Sequence, residues 1–570
     1  MEIDFPEWDM DSYVMMPACA YNGNRYKRDN RPYPPMYKKD ETGIDCDVLM
    51  TDVPALNPDG SGEIQVTSGD MATPCVGIYN REKKQGFLLF CEQEVKGKNI
   101  GFTLKAGKLA ISYPASRTDF YRFWFFKSQH IEADKGIPVE NGEEVSSKYK
   151  IVTFPCDSMA CFYDNFFKLR KSVMSDERAP SLYTRELWDL MEKHFNEENY
   201  SGEYYAEVSK IWQCGWVGGG MSNYALLKLG NDISKERAIK TIDYMTSHQA
   251  NSGFYYGRVE NGEIQDDSNN TEGMENIHLL RKSADGLYFL FKNFSITEVK
   301  NEWKESAKRC ADAFCKLFET YGRIGQFANV ETGELVVGNS NSAAIVSAAL
   351  AKAYEFFCEE KYLHFAKKIL EYHYKMFEDT GVTNGGPGEI MGAPDSESAF
   401  GLLESCVILY EITKDEKWLK YAETVAKYCS SWVVTYSYKF PETSEFGRLG
   451  INTVGSVFAN VQNKHSAPGI CTLSGDSILK LYRYTKNEEY LELIKDIAYF
   501  IPQCVSTSER PILTWHNPQR ILPPGFINER VNMSDWEGKD KIGGVFGLSC
   551  WPETSLILSF AELVGQEEFN

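Results

Sequence analysis

The strongest constraint on the fold of this chain is a unit that repeats. Leu409-Tyr410-x-x-Thr413-Lys-Asp-Glu-Lys-Trp418-Leu419-x-x-Ala422 lies over Leu481-Tyr482-x-x-Thr485-Lys-Asn-Glu-Glu-Tyr490-Leu491-x-x-Ile494. It also lies over Ala353-Tyr354-x-x-Phe357-Cys-Glu-Glu-Lys-Tyr362-Leu363-x-x-Ala366, and weaker copies surround Ile233 and Asn301. In the clearest copy, Ala399, Leu402, Leu403, Cys406, Leu409 and Tyr410 mark one face of a helical period. After a short polar turn, Trp418, Leu419, Ala422, Val425 and Ala426 mark a second. Each unit is therefore a helical hairpin. A lone hairpin cannot bury its apolar faces, so the copies must stack as an array or close into a toroid.

From Ser181 onwards twelve helical segments can be read, starting near Ser181, Val217, Ser234, Lys282, Ile296, Ser340, Glu359, Ser396, Asp415, Gly469, Asn487 and Ser549. The even-numbered segments are less charged and richer in Gly, Ala and Ser, as inner helices should be. Long loops precede them and short turns follow them. This pattern predicts an (α/α)6 barrel over 181–570, with every long loop at one mouth.

Residues 1–165 read differently. Cys75–Tyr79 and Gly86–Phe90 flank one hairpin turn, and Ile100–Leu104 and Leu109–Tyr113 flank another. Tyr121–Phe126 and Lys148–Thr153 add two strands, and the spacing predicts an antiparallel β-sandwich. Asp157–Met174 reads as a connecting helix, so that 166–180 holds its end and a linker. The polar segment Met16–Arg25 is either a surface turn or an arm reaching towards a site.

A β-sandwich ahead of six helical hairpins resembles the six-hairpin glycosidase superfamily. The resemblance is one of pattern over the helical part, with no specific motif matched. It implies a carbohydrate-active enzyme with paired carboxylates in the loops of the mouth.

The net charge of −20 and the lack of any Lys/Arg run argue against nucleic acid or an anionic membrane as a partner. The 15 cysteines include no C-x-x-C pair. They read as free thiols in a reducing compartment, and their spacing does not suit zinc. The acidic N-terminus has no apolar signal-peptide core, and no apolar run is long enough to span a bilayer. The expectation is a cytoplasmic protein that needs no cofactor or metal. Trp212–Gly220 lacks the spacing of a phosphate loop, and no nucleophile elbow or H-E-x-x-H occurs.

Glycoside hydrolysis needs two carboxyl groups facing one cavity, one protonated and one ionised. The loop before the eighth helix holds Glu389, Asp395 and Glu397, with Asp395 or Ser396 placed to cap the helix. The loop before the twelfth, Gly525–Gly538, holds Glu529, Arg530, Asp535, Trp536 and Glu537. The catalytic candidates are therefore Asp395, Glu397, Glu529 and Asp535, one acid from each loop. Trp216, Asn463, His465, Arg530, Trp536 and Glu537 are candidates for holding the sugar, through ring faces and hydrogen bonds. The acids of Gly253–Arg281, including Asp266, Asp267, Glu272 and Glu275, stand in reserve. Glu331 and Glu334 read as a hairpin tip.

The best reading is an exo-acting glycoside hydrolase on small neutral oligosaccharides. A sugar epimerase or isomerase on the same barrel would use His278, His465 or His516 for proton transfer. A uronate-directed lyase or hydrolase would hold a carboxylate on Arg530 or Arg281. A non-catalytic sugar-binding protein would keep the aromatic rings without needing two facing acids.

Overall fold

A computed structural model describes the chain except residues 7, 32, 33, 119–121, 124–127, 130, 131, 134, 135, 181, 182, 217, 517, 536, 537, 548–550 and 570. Two antiparallel sheets form the N-terminal part. One has four strands in the order Glu2–Asp4, Lys108–Ser112, Gly101–Lys105, Glu63–Thr67. The other has five, in the order Tyr149–Pro155, Gln85–Cys91, Cys75–Asn80, Tyr13–Met16, Ala20–Tyr21. Both expected hairpins form, with Cys75 opposite Phe90 and Phe102 opposite Ile111. Val14, Val76 and Leu89 meet Val66, Phe102 and Leu109 in one buried cluster, which makes the two sheets a sandwich. Most of the expected strand Tyr121–Phe126 lies outside the described residues.

Period-two alternation gives the five-stranded sheet a second buried face. There Tyr13, Leu88 and Phe90 pack on helix α1 (Met159–Leu169), whose Phe162, Tyr163 and Phe166 join the main helical core. Tyr163 and Tyr13 both donate to the Gly381 carbonyl, at 2.8 and 2.9 Å. The sandwich is thus seated on the helices by buried rings that carry polar tips.

The helices follow in pairs. They are α2 (Arg185–His194), α3 (Met221–Leu229), α4 (Asp232–Ser247), α5 (Leu280–Phe294), α6 (Asn301–Tyr321), α7 (Val346–Phe357) and α8 (Glu360–Thr380). After them come α9 (Ser396–Thr413), α10 (Glu416–Cys429), the short α11 (Glu445–Leu449), α12 (Asp476–Thr485), α13 (Glu488–Phe500) and α14 (Pro552–Glu562). α3 packs on α5, α5 on α7, α7 on α9 and α9 on α12, while α14 packs back on α3. These are the expected even-numbered helices, and they form the inner ring. α4, α6, α8, α10 and α13 each cover the inner helix before them, and α2 covers α14. The result is an (α/α)6 toroid. Segments 253–279, 326–345 and 450–475 are the long loops before inner helices, and they carry short strands such as Ile277–Leu279 and Phe327–Asn329 that the helical pattern does not announce. The tip around Glu331 is the hairpin the sequence suggests.

Met16–Arg25 is neither an exposed turn nor a free arm. Tyr21 stacks on Trp432 at 4.4 Å between ring centroids and its hydroxyl meets Ser431 Oγ at 2.8 Å, so the segment is buried between the sandwich and the barrel. A later stretch reaches the mouth instead. Met36, Tyr37 and Leu49 pack on Ile277, Leu279, Phe327 and Met391, which belong to the loops before α5, α7 and α9.

Candidate functional site

The N-terminal ends of the inner helices surround one guanidinium. Arg281, in the first turn of α5, is almost fully buried. Its Nη1 pairs with Glu397 in the first turn of α9, its Nε donates to Asp285 Oδ2 at 3.1 Å, and its Nη2 donates to Thr472 Oγ1 at 3.2 Å. Three inner helices or their loops therefore converge on one cation. Leaving any of these groups unpaired in such a place would be costly.

Trp216, on the loop before α3, closes one side. Its ring centroid lies 5.5 Å from Arg281 Cζ and 5.0 Å from Lys282 Nζ. Trp216, Lys282, Arg258, Asp267 and Glu389 line a cavity of about 260 Å³, and Pro34 from the N-terminal segment contributes to its wall.

The acids around this cavity differ by environment. Burial pushes the Glu389 carboxyl above the ordinary range, against its own backbone N–H and the nearby Lys282 and Arg281 cations. Burial likewise pushes Asp285 up to about 6, opposed by Arg281. Asp395 is also pushed up to about 6 by burial, opposed by hydrogen bonds from the Gly386 and Ser398 backbone N–H groups. Asp267 goes the other way. Despite burial, Lys282 at 2.5 Å and His278 hold it well below the ordinary carboxylate range. The loop carrying Glu389 is conformationally costly, because Met391 has φ 52° and is not glycine. Such outliers persist only where the surroundings impose them.

The structure brings together Trp216, Asp395 and Glu397 among the expected residues. Asp395 is the cap of α9, its Oδ1 accepting the Ser398 N–H at 2.7 Å. The loop before α14 supplies a separate patch. There Asp535 places both carboxylate oxygens 2.9 Å from Arg117 Nη2, which belongs to the sandwich and also reaches Asp70. Arg530 lies over the Phe546 ring at 4.3 Å, and Glu529 beside it is half-buried. His465 is buried, with Nδ1 3.2 Å from the Ser466 carbonyl, and burial together with Arg530 drives its imidazole strongly towards the neutral form. Neither His465 nor Asn463, whose backbone N–H donates to Asn460, lines the cavity beside Trp216. Trp536 and Glu537 lie outside the described residues.

Arg281, Lys282, Asp285, Asp267 and Glu389 are the residues that loop composition underrates. The available signal was position. Arg281 and Asp285 sit one turn apart at the start of an inner helix, where i,i+4 side chains share a face.

No family model matches this sequence, and no curated protein matches it. Solved structures with a similar backbone course include cellobiose 2-epimerase from Spirochaeta thermophila, at 12% identity and TM-score 0.45, with 67% of this chain and 94% of that chain covered. A D-mannose isomerase has 11% identity and TM-score 0.43, covering 66% and 96%. A family 76 glycoside hydrolase from a bovine Bacteroides thetaiotaomicron strain has 13% identity and TM-score 0.40, covering 84% and 96%.

Proposed function

We propose that the cavity beside Trp216 hydrolyses glycosides, taking one end of a small neutral oligosaccharide. The observation that carries this reading is the unlike setting of two acids of one segment, Glu389 in the loop before α9 and Glu397 in the first turn of that helix. Glu389 lines the cavity and burial favours its protonated form, while Glu397 is held as an ion pair by Arg281. Hydrolysis needs this inequality: the protonated carboxyl gives its proton to the leaving oxygen, and the ionised one activates water or attacks the sugar. Trp216 supplies a ring face for the sugar, and Lys282 and Arg258 supply donors for its hydroxyls. Asp395 keeps a positioning role in this reading, tying the Gly386 backbone to the start of α9.

The test uses an aryl glycoside panel. Glu389→Gln is expected to keep the wild-type melting temperature, while Glu397→Gln, which takes a carboxylate from buried Arg281, is expected to melt lower; each should lose about 10²–10⁴-fold in kcat at a temperature where it stays folded. Near-wild-type turnover in both variants would dismiss the assignment and return attention to Glu529.

A second reading has one observation of its own. His278 Nε2 lies 2.7 Å from Ser283 Oγ and its Nδ1 3.5 Å from Asp267, and burial lowers its affinity for a proton. A neutral imidazole so oriented suits proton transfer at a sugar carbon. Deuterium uptake from D2O into recovered mannose or cellobiose would favour an epimerase over a hydrolase.

A further inference from the structure

The toroid has a second cavity, at the opposite end from the mouth. It has a volume of about 450 Å³ and lies near the C-terminal ends of the inner helices, all six of which or their immediate ends contribute lining residues. This volume falls in the range of roughly 300–1,000 Å³ usual for small-molecule sites.

The wall mixes aromatic and aliphatic side chains with charged ones, and most of the charges are matched. Lys292 pairs with Glu562, whose other oxygen accepts from Ser474 Oγ at 2.5 Å. Lys480 lies 3.2 Å from Asp476 and 3.3 Å from Glu411. Arg483 pairs with Glu568 at 2.7 Å, and Lys352 pairs with Glu355 at 2.7 Å. The Lys228 ammonium donates to the Ala561 carbonyl at 2.8 Å. An anionic ligand would have to compete with carboxylates for these cations, and a metal ion would compete with lysines for the acids. A neutral molecule with several hydroxyls does neither, because it can donate to the carboxylates and accept from the ammonium groups while the pairs stay intact.

One ring is left bare. Phe356 is 37% exposed at the rim, although its neighbours Phe291 and Phe294 are buried. It is held at a fixed tilt by Phe294, with centroids 5.0 Å apart. A fixed aromatic face beside matched hydrogen-bonding charges suits the C–H face and the hydroxyl edge of a sugar ring.

We propose that this rear cavity binds a neutral mono- or disaccharide, as a site separate from the one beside Trp216. The inference rests on the rear cavity's own chemistry and stands whether or not the mouth hydrolyses glycosides.

Calorimetric titration of the full-length protein with glucose, mannose and cellobiose tests it, with glucose 6-phosphate as the charged comparison. The Glu397→Gln variant serves as a background in which the mouth is disabled. The expected result is saturable binding of at least one neutral sugar in that background, weakened tenfold or more by adding Phe356→Ala. Phe356→Ala alone should leave turnover at the mouth unchanged. The proposal falls if no neutral sugar binds in the Glu397→Gln background, if Phe356→Ala leaves the affinity intact, or if only the phosphate ester binds.

Discussion

At the scale of single residues, the mouth is organised by where charge is allowed to sit. Lys282 has two neighbours with opposite demands: it holds Asp267 ionised and it opposes protonation of Glu389. Removing this cation favours the protonated form of Glu389. Lys282→Met is therefore expected to move the alkaline limb of the kcat/KM profile to higher pH, because the acid then keeps its proton further up the scale. A limb that moves down, or does not move, would separate Glu389 from the acid role. Little of this was legible beforehand. Arg281 and Glu397 stand 116 residues apart in the chain, so neither carries a local mark of the other. Asp535 shows the converse. Acids crowded into a non-periodic loop look the same in sequence whether they serve chemistry or an ion pair, and the partner Arg117 is 418 residues away.

At the scale of elements, the repeat that announces the fold is a turn with its own bonding scheme. Tyr354, Tyr410 and Tyr482 donate to Glu360, Glu416 and Glu488, each across the junction of an inner helix with its outer partner, at 3.3, 3.4 and 3.4 Å. Thr413 and Thr485 donate back to the Leu409 and Leu481 carbonyls and accept from the backbone N–H groups of Asp415 and Asn487. Asp415 and Asn487 then cap the outer helices, accepting from the Lys417 and Glu489 N–H groups. All of this lies within a few residues, which is why the outer helices α8, α10 and α13 start within a residue of the sequence reading, whereas the inner α7 and α12 start six and seven residues after Ser340 and Gly469. The turn also requires a left-handed residue, and Cys358, Lys414 and Lys486 fill it with φ of 57°, 55° and 56°. A side chain there costs roughly 1–2 kcal/mol. Lys414→Gly and Lys486→Gly are each expected to raise stability by about 1 kcal/mol in urea denaturation. A loss of stability in both would mean that the lysine stems matter more than the backbone.

At the scale of the whole molecule, the sandwich and the barrel share a core, since Tyr13, Leu88 and Phe90 belong to the same buried cluster as the helices. Calorimetry is expected to show one unfolding transition, not two. Arg117→Ala removes the guanidinium that Asp70 and Asp535 share at this junction, and the cost should be about 3–5 kcal/mol. A second, separate transition in that variant would show that the triad couples the two parts, whereas an unchanged melting temperature would deny it a structural role. The sandwich was readable from its alternation, but its seat on α1 was not, because a strand buried on both faces shows no polar side. The sixth hairpin has a different consequence. It is built from α2 and α14, joined by contacts such as Asn199 Nδ2 to Glu553 at 2.8 Å, across 354 residues of chain. During synthesis, the five hairpins between them emerge before α14, as an open arc whose α3 flank, covered by α14 in the closed ring, faces water. The ring, and with it the enclosed geometry of both cavities, closes only after α14 leaves the ribosome. Until then the nascent chain is a natural client for chaperones, and a ribosome stalled before Pro552 should release an aggregation-prone arc in which neither cavity is complete.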